Sequence, residues 1–412
     1  MLFNKFKDCN KYDIMLFALI ASLAFGVIGG ALQVPRLLTL LFIPALHKTI
    51  DVDSLGIKGL KGFLAFFVFF MAISFIWTPD KAQGVKEIVY YPVHICLFLE
   101  ILSFARYANN PFCSISFGWI IGFASLAFIA VQEILTDVHL DTSKTDSDTY
   151  MNNGSGELLL KKFAAGTFFN YNDFNVYICY SSPFILYAIR TAKKKIIFAF
   201  YFALYLIALY IVLTNASRGS VISLGIFGVI CLWDFFSEKN RFRLLGFILF
   251  SFGTIVFIKN IDTIFENIMY RMYSTEMLDG SSRYGIWYNA LRALVNTGFM
   301  GTGIGGLQAE MRKVGSFYDI PITHNMFLEV LTQFGVLIFV PFIIGLYRLV
   351  SRIFQISNVD KKRVLIAATL AMPFYFIVNS GYLLSCSFYA YFASLFVFAY
   401  ITTDNKRCRD RS

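Results

Sequence analysis

Residues 196–214 read IIFAFYFALYLIALYIVLT, an apolar run that contains no charged side chain. At about 1.5 Å per residue, a helix of this length crosses a hydrocarbon core of about 30 Å. Three lysines stand before the run at positions 193–195, and Arg218 follows shortly after it. The stretch therefore predicts a membrane-spanning helix with polar residues at both ends.

The remainder of the chain has the same composition. Of its 412 residues, 57% are hydrophobic, 18% are aromatic and only 15% are charged, and the mean hydropathy is +0.63. Soluble domains carry about 25% charged residues, and disordered chains have low hydrophobicity. The composition excludes both classes and predicts an all-α polytopic membrane protein, because a membrane barrel would show alternating segments of about ten residues.

Similar apolar segments recur along the chain and predict about twelve transmembrane helices in a single membrane domain, residues 1–412. The predicted spans are 14–32, 34–46, 60–77, 88–105, 115–135, 173–189, 196–214, 220–236, 244–258, 326–349, 364–379 and 383–402. The second span is short and contains Pro35. It is the least certain of the set because proline disfavours a helix interior.

The net charge of +10 follows from 36 Lys and Arg against 26 Asp and Glu. Most of the basic residues lie in alternate connections, which the positive-inside rule places in the cytoplasm together with both termini. These residues are Lys5, Lys7, Lys11, Lys48, Lys58, Arg106, Arg190, Lys193, Lys194, Lys195, Lys239, Arg241, Arg243, Arg352, Lys361, Lys362, Arg363, Lys406, Arg407, Arg409 and Arg411. The distribution of basic residues thus indicates the orientation of the chain in the membrane. We expect no nucleic-acid partner.

Two long polar segments fall on the opposite side, which we expect to be the periplasm. One covers residues 136–169 and is rich in acidic side chains, and the other covers residues 259–325. Within the second, residues 283–294 (RYGIWYNALRAL) mix apolar and polar side chains at helical spacing. They predict an amphipathic helix between the ninth and tenth spans, on the membrane surface or over a cavity.

Two arginines on that side stand in short motifs. Arg218 lies in NASRG, a very short connection without an acidic neighbour, and Arg283 follows two serines at the start of the amphipathic helix. Arginine is the natural bidentate partner of a phosphate, and a helix N-terminus favours anions. The competing interpretations are a snorkelling interfacial arginine for Arg218 and an ordinary surface charge for Arg283.

A histidine and a glycine-rich stretch precede the tenth span. His324 and Asn325 stand directly before the helix, downstream of GTGIGG at residues 301–306. Histidine exchanges a proton near neutral pH, although capping of the helix is an equally good reading. The glycines favour a tight return turn more than a ligand contact.

Polar side chains also stand at the entry to the sixth span. Asn170, Asn172 and Asp173 are suited to hydrogen-bonding a sugar, and equally to capping the helix. No second His or Cys stands at ligand spacing from His324, and the seven Cys include no CxxC. We therefore expect neither a metal site nor a cofactor.

In this order, the motifs resemble the O-antigen ligase and O-antigen polymerase superfamily of bacterial envelopes. The resemblance is carried by Ser217-Arg218-Gly219, by the Arg283 helix that leads to GTGIGG, and by His324-Asn325 followed by FLEVLTQFG. Weaker matches are FIWTPD at residues 75–80 and FFNYNDF at residues 168–174. The resemblance extends over about residues 60 to 400.

The resemblance implies about twelve helices in the inner membrane, with a large periplasmic loop between late helices. It also implies metal-independent transfer of a glycan from undecaprenyl diphosphate, in contact with membrane lipids and a possible chain-length regulator. By position, Arg218 and Arg283 would bind the diphosphate. His324 would act as the base or would orient the acceptor, with Asn325, Asn170 and Asn172 as further substrate contacts.

Three functions are compatible with these features. A polymerase would transfer the glycan to another lipid-linked repeat unit, and a ligase would transfer it to lipid A–core. We favour the polymerase because the late outer loop is of modest length for a ligase and the residue composition is typical of variable surface-glycan clusters. A transporter or flippase would show two matching halves with broken helices, and the sequence shows no such halves.

Overall fold

The computed structural model describes residues 9–51, 56–142, 150–152, 158–160, 162–236, 242–262, 264–267, 283–314 and 322–401. The helices are α1 (Lys11–Ser22), α2 (Val34–Thr49), α3 (Leu60–Ser74), α4 (Lys81–Tyr107), α5 (Pro111–Thr136), α6 (Tyr171–Thr191), α7 (Lys195–Thr214), α8 (Arg218–Phe236), α9 (Arg243–Lys259), α10 (Arg283–Asn296), α11 (Leu307–Val314), α12 (Met326–Ile353), α13 (Val359–Tyr375) and α14 (Cys386–Tyr400). Two short strands, β1 (Tyr150–Asn152) and β2 (Leu158–Leu160), pair antiparallel with Tyr150 opposite Leu160. This hairpin lies within the predicted acidic loop.

Each of the twelve predicted spans overlaps a helix. Among the described residues, α4, α5, α7 and α12 are long and apolar enough to cross a membrane, and α3, α14 and the Arg218–Ile230 part of α8 are shorter apolar helices. These helices agree with a polytopic membrane protein. A total of twelve crossings stays a prediction.

The predicted amphipathic helix corresponds to α10. Its buried side chains include Ile286, Ala290, Ala293 and Leu294, which recur at the three- and four-residue spacing of one helix face. The exposed Tyr284 and other residues of α10 lie on the opposite side. The apolar face packs against α12 and α11, so α10 covers the bundle at the end where α12 begins.

The first predicted span is wrong in its second half. Helix α1 ends at Ser22, and a short 3-10 turn, Leu23–Phe25, follows it. Gly26 then turns the chain with φ 52°, and the N–H of Val27 donates to the carbonyl of Thr167 at 3.1 Å. The chain leaves the helix here because its backbone hydrogen-bonds to another connection.

Aromatic side chains fill the centre of the bundle. Trp119 of α5 stacks on Phe184 of α6 with ring centroids 5.5 Å apart, and its edge contacts Tyr391 of α14 at 6.4 Å. The indole N–H donates to the Ser394 hydroxyl at 3.2 Å. Such rings contribute large buried areas and fixed mutual orientations, which hold these three helices together.

Connections that share a predicted side also meet in space. Arg348 donates to the carbonyl of Lys58 at 2.5 Å, and Arg190 pairs with Asp360 at 2.7 Å. Lys58, Arg190 and Asp360 belong to segments predicted to be cytoplasmic, and Arg348 lies at the adjoining end of the tenth predicted span. At the opposite predicted side, Val27, in the second half of the first predicted span, contacts Thr167 of the predicted acidic loop.

Helix α12 is broken at Gly335, where φ is 68° and ψ is −175°. The glycine-rich segment, residues 301–306, packs against α12 at this break. The backbone N–H groups of Thr302 and Gly303 donate to the carbonyls of Thr332 and Gln333 at 2.9 and 3.0 Å. The segment therefore supplies the hydrogen bonds that the interrupted helix loses, which gives GTGIGG a packing role.

This close packing predicts different effects for two glycines of the same helix. A Cβ at Gly335 would lie 2.5 Å from the carbonyl oxygens of Met300 and Phe299, whereas a Cβ at Gly345 meets nothing within 4 Å. The left-handed backbone alone costs a non-glycine residue about 1–2 kcal/mol. We expect Gly335→Ala to lower the Tm in detergent by at least about 2 °C and Gly345→Ala to leave it unchanged or raise it. Equal Tm values for the two variants would contradict the described close packing of the backbone against Gly335.

Candidate active site

The segment that joins α13 to α14, residues 376–385, is the meeting point of the candidate residues. We call it the α13–α14 connection. The carboxylate of Glu329 in α12 fixes its backbone, because its oxygens accept the N–H groups of Gly381, Tyr382 and Leu383 at 2.9, 3.3 and 3.0 Å. Glu329 is itself buried. This part of the connection is therefore held by three hydrogen bonds to one side chain.

His324 lies against this connection. Its backbone N–H donates to the Ser380 hydroxyl at 2.8 Å, and its φ of 45° is in the left-handed region. The neighbouring Thr323 carbonyl accepts the indole N–H of Trp287, in α10, at 3.0 Å. A left-handed backbone at a non-glycine residue stores strain, which is common at functional sites. The surrounding contacts hold His324 in this position.

Arg283, the first residue of α10, reaches the same connection. Its guanidinium donates to the carbonyl of Ile377 at 2.6 Å, while most of the side chain is exposed. Burial, and to a lesser extent the nearby positive charge of Arg283, lowers the pKa of His324 to about 4. The imidazole is therefore neutral near pH 7 and available to accept a proton. Its Nδ1 is buried and has no hydrogen-bond partner among the described residues.

Arg218 is the first residue of α8, and this helix approaches the connection at the end that follows α13. A Cβ added at the next residue, Gly219, would lie 2.5 Å from the Phe374 carbonyl oxygen and 2.9 Å from Val378. Only glycine permits this close approach. The Arg218 side chain is exposed and takes part in no ion pair within the described ranges.

The turn before Arg218 is fixed by Asn215. Its side-chain oxygen accepts the N–H of Ala164 at 2.8 Å, and its NH₂ group donates to the Ala164 carbonyl at 2.9 Å and to Asn175 at 2.8 Å. Ala216 then adopts a left-handed φ of 52°. The buried amide therefore sets where α8, and with it Arg218, begins.

The structure thus brings three predicted residues to neighbouring points of one segment. The start of α8, which carries Arg218, packs at residues 374–378. Arg283 contacts residue 377, and His324 contacts residue 380. These residues come from three separate parts of the sequence, and the contacts place the Arg283 guanidinium, the neutral imidazole and the helix start that carries Arg218 around the same end of the bundle.

The three candidate asparagines differ in their contacts. Asn170 caps α6, since its oxygen accepts the N–H groups of Asn172 and Asp173 at 2.8 and 2.9 Å. Asn325 caps α12 in the same way through Phe327 and Leu328. The Asn172 side chain makes no hydrogen bond that joins it to another described residue. Capping is the observed role of the first two, and a sugar contact stays a prediction for all three.

Sequence reasoning missed two side chains that hold the site together. Glu329 is one, and Asn379, which is hydrogen-bonded to the sequence-predicted Asp173, is the other. An acidic residue inside an apolar helix was the available signal for Glu329, because intramembrane charges are retained for a reason. Asn379 has no such signal. Among the described residues, no group of three or more His, Cys, Asp or Glu side chains is arranged to hold a metal ion.

Comparison with known proteins gives two matches. The family model described as O-antigen ligase matches residues 202–343, a segment that contains Arg218, Arg283 and His324. The teichuronic acid biosynthesis protein TuaE of Bacillus subtilis is 22% identical over 296 residues, which are 69% of this chain and 58% of that protein. The chain thus aligns with little more than half of that relative. Together the matches confirm the resemblance to the O-antigen ligase and polymerase superfamily.

The low pKa of His324 predicts a measurable dependence of stability on pH. The folded protein holds this pKa at about 4, below the ordinary value of 6.5, so the unfolded chain binds more protons between these values. The stabilisation is complete above pH 6.5 and is lost as the pH falls towards 4. We expect the Tm of the wild type to drop by several degrees more between pH 7 and pH 4.5 than that of His324→Asn. Asparagine tolerates the left-handed backbone, and the acidic groups common to both proteins cancel in the comparison. Equal drops would show that the imidazole is not buried as described.

Proposed function

We propose that the protein is a metal-independent membrane glycosyltransferase that polymerises a surface polysaccharide. In this reaction a glycan passes from undecaprenyl diphosphate to a sugar hydroxyl of another lipid-linked repeat unit. The observation that carries the proposal is the convergence of Arg218, Arg283 and His324 on the α13–α14 connection. Two cations and a neutral base are the groups that such a transfer needs.

The arginines are suited to the leaving group. The acceptor oxygen forms a bond to the anomeric carbon, and the bond from that carbon to the diphosphate oxygen breaks. Its electron pair departs with undecaprenyl diphosphate, so negative charge grows on the diphosphate. Arg218 and Arg283 are placed to stabilise this charge, and guanidinium groups bind phosphate oxygens in bidentate fashion.

His324 is suited to the acceptor. A neutral imidazole takes the proton of the attacking hydroxyl as the new bond forms, and such general base catalysis contributes about 10²–10⁴-fold. A histidine that is already protonated at neutral pH could not accept this proton. The burial that lowers the pKa of His324 keeps the imidazole in the required form.

The position of the site suits a lipid substrate. The candidate residues lie at an end of the bundle, where a diphosphate head group at the surface is accessible while its chain stays in the bilayer. With both termini in the cytoplasm, this end faces the periplasm of a bacterial inner membrane. The proposed partners are the lipid-linked donor, a glycan acceptor, membrane lipids and a chain-length regulator.

Ligation to lipid A–core is the second candidate, because the family model that matches residues 202–343 is described as O-antigen ligase. The name of the Bacillus relative refers instead to the biosynthesis of teichuronic acid, which favours the formation of a polymer. Both reactions use the same donor chemistry and differ in the acceptor.

A deletion strain distinguishes the two candidates. If the protein is the polymerase, its loss leaves lipid A–core that carries one repeat unit. If it is the ligase, its loss leaves bare core, and the glycan accumulates on the carrier lipid. Gel electrophoresis of the lipopolysaccharide, with analysis of the carrier-lipid fraction, measures the difference. An unchanged glycan profile would contradict both candidates.

Substitutions at the site test the mechanism. In proteoliposomes supplied with lipid-linked repeat units from the deletion strain, we expect Arg218→Ala and Arg283→Ala each to lower the rate of glycan formation about 10²–10³-fold. We expect His324→Ala to lower it about 10²–10⁴-fold. Arg292→Ala is the matched control, because Arg292 is an exposed arginine of the same helix as Arg283 and lies over the ring of Tyr288. Wild-type rates for Arg218→Ala and His324→Ala, at equal amounts of folded protein, would refute the mechanism.

A further inference from the structure

A polar cavity of about 230 Å³ lies beside His324, between the α1–α2 connection, the first turns of α6 and the α13–α14 connection. Its lining includes Gln33, Asp173, Tyr180, Asn379 and Ser380. A cavity of about 150 Å³ is enough for benzene, so this one has room for a single sugar ring. It is smaller than the 300–1,000 Å³, roughly, of pockets for larger ligands.

We propose that this cavity is the subsite for the acceptor sugar. The inference rests on the proposed transfer to a sugar hydroxyl, and it names the place where the ring that carries this hydroxyl binds. Asp173 and Asn379 would determine which sugar is accepted. The following contacts support the assignment.

The polar groups of the cavity suit a neutral polyhydroxylated ligand. Asp173 is half-buried, and one of its carboxylate oxygens accepts from the NH₂ group of Asn170 at 2.9 Å while the other accepts from Asn379. Serine hydroxyls and the amide of Gln33 complete the set. Sugar hydroxyls both donate and accept hydrogen bonds, so they require such a mixture.

The charge of the cavity disfavours the diphosphate. Among the described residues that line it, none is Lys or Arg, and the nearby buried Arg36 already donates to His94 and to the carbonyls of Ala31 and Leu384. Burying an anion without a cationic partner is costly. We therefore assign the diphosphate to Arg218 and Arg283, and an uncharged part of the substrate to the cavity.

A buried hydroxyl in the cavity wall also points to a ligand. Tyr180 is 1% exposed, and its hydroxyl has no hydrogen-bond partner among the described residues. The ring is held by stacking on Tyr391 at 4.4 Å. An unsatisfied buried hydroxyl costs about 1–3 kcal/mol, a cost that a hydrogen bond to a bound sugar would remove.

The cavity is continuous with the proposed base. Ser380, which lines the cavity, accepts the backbone N–H of His324 at 2.8 Å. Along the connection, the arginine-bearing helices approach residues 374–378, His324 contacts residue 380, and residues 379–382 and 384–387 line the cavity. The parts proposed to bind the diphosphate, to act as base and to bind the acceptor sugar therefore contact adjoining residues of one segment.

A binding experiment without the diphosphate isolates the cavity. The probe is the free repeat-unit oligosaccharide, released by mild acid from the lipid extract of the deletion strain. Its binding to the purified full-length protein is followed by saturation-transfer NMR. Ser387→Leu fills the cavity from the first turn of α14, and Gln33→Ala removes an amide from the half-buried rim. Ser125→Leu, the same substitution at an exposed position of α5, is the matched control.

We expect the wild type, Ser125→Leu and the inactive His324→Ala to bind the oligosaccharide. We expect Ser387→Leu to weaken binding at least tenfold and Gln33→Ala to weaken it severalfold. Gln33→Ala tests the inference even if Ser387→Leu does not fold. Absence of binding to the wild type, or wild-type binding by both folded cavity variants, would overturn the assignment.

Failure of the proposed function gives a different result. A wild-type protein that binds the oligosaccharide through the cavity but forms no glycan from lipid-linked repeats would refute the transferase and leave the sugar site. A protein that polymerises while its cavity variants bind normally would refute only the cavity assignment.

Discussion

Backbone that is not helical must still find hydrogen bonds when it lies within an apolar bundle, because lipid offers none. In this protein, buried carboxylates meet much of that need. They are Asp13, which accepts the N–H groups of Asn109 and Asn110; Glu87, which accepts that of Gly305; Glu133, which accepts those of Ala165 and Gly166; and Glu329, which accepts those of Gly381, Tyr382 and Leu383. Each carboxylate extends from a helix to a connection that is distant in sequence.

The candidate site depends on one of these carboxylates. Glu329 fixes residues 381–383, and the adjoining residues contact His324, Arg283 and the start of α8. A buried N–H group left without a partner costs about 1–3 kcal/mol, so the three N–H groups together hold the connection firmly. The catalytic groups proposed here keep their relative positions because the segment that they contact cannot move freely.

The sequence predicted best those features that depend on the local spacing of apolar residues. Apolar runs predicted the helices, and the spacing of apolar side chains predicted α10. The motifs identified Arg218, Arg283 and His324 as candidates. The early end of α1 and the break at Gly335 could not be predicted in this way, because both depend on backbone contacts with remote segments.

The least predictable part is the α13–α14 connection. Asn379 contacts Asp173 across 206 positions of sequence, and the apolar residues near it were read as the ends of two membrane spans. No local pattern distinguishes a connection that organises a site from a simple turn between helices. The contacts of Glu329 give it that importance, and such contacts exist only in the folded chain.

The carboxylate of Glu329 binds peptide groups, and these are nearly the same whatever side chain a residue carries. These three hydrogen bonds are thus largely independent of the side chains at residues 381–383, apart from the left-handed Gly381, whereas Asn379, Ser380 and Tyr382 also hold the connection through their own side chains. Residues that face the cavity without making such contacts are therefore open to replacement without a new fold. With the cavity as the proposed sugar site, a change of sugar would require only a few exchanges at the cavity wall, while the helices and the proposed reaction chemistry would be kept.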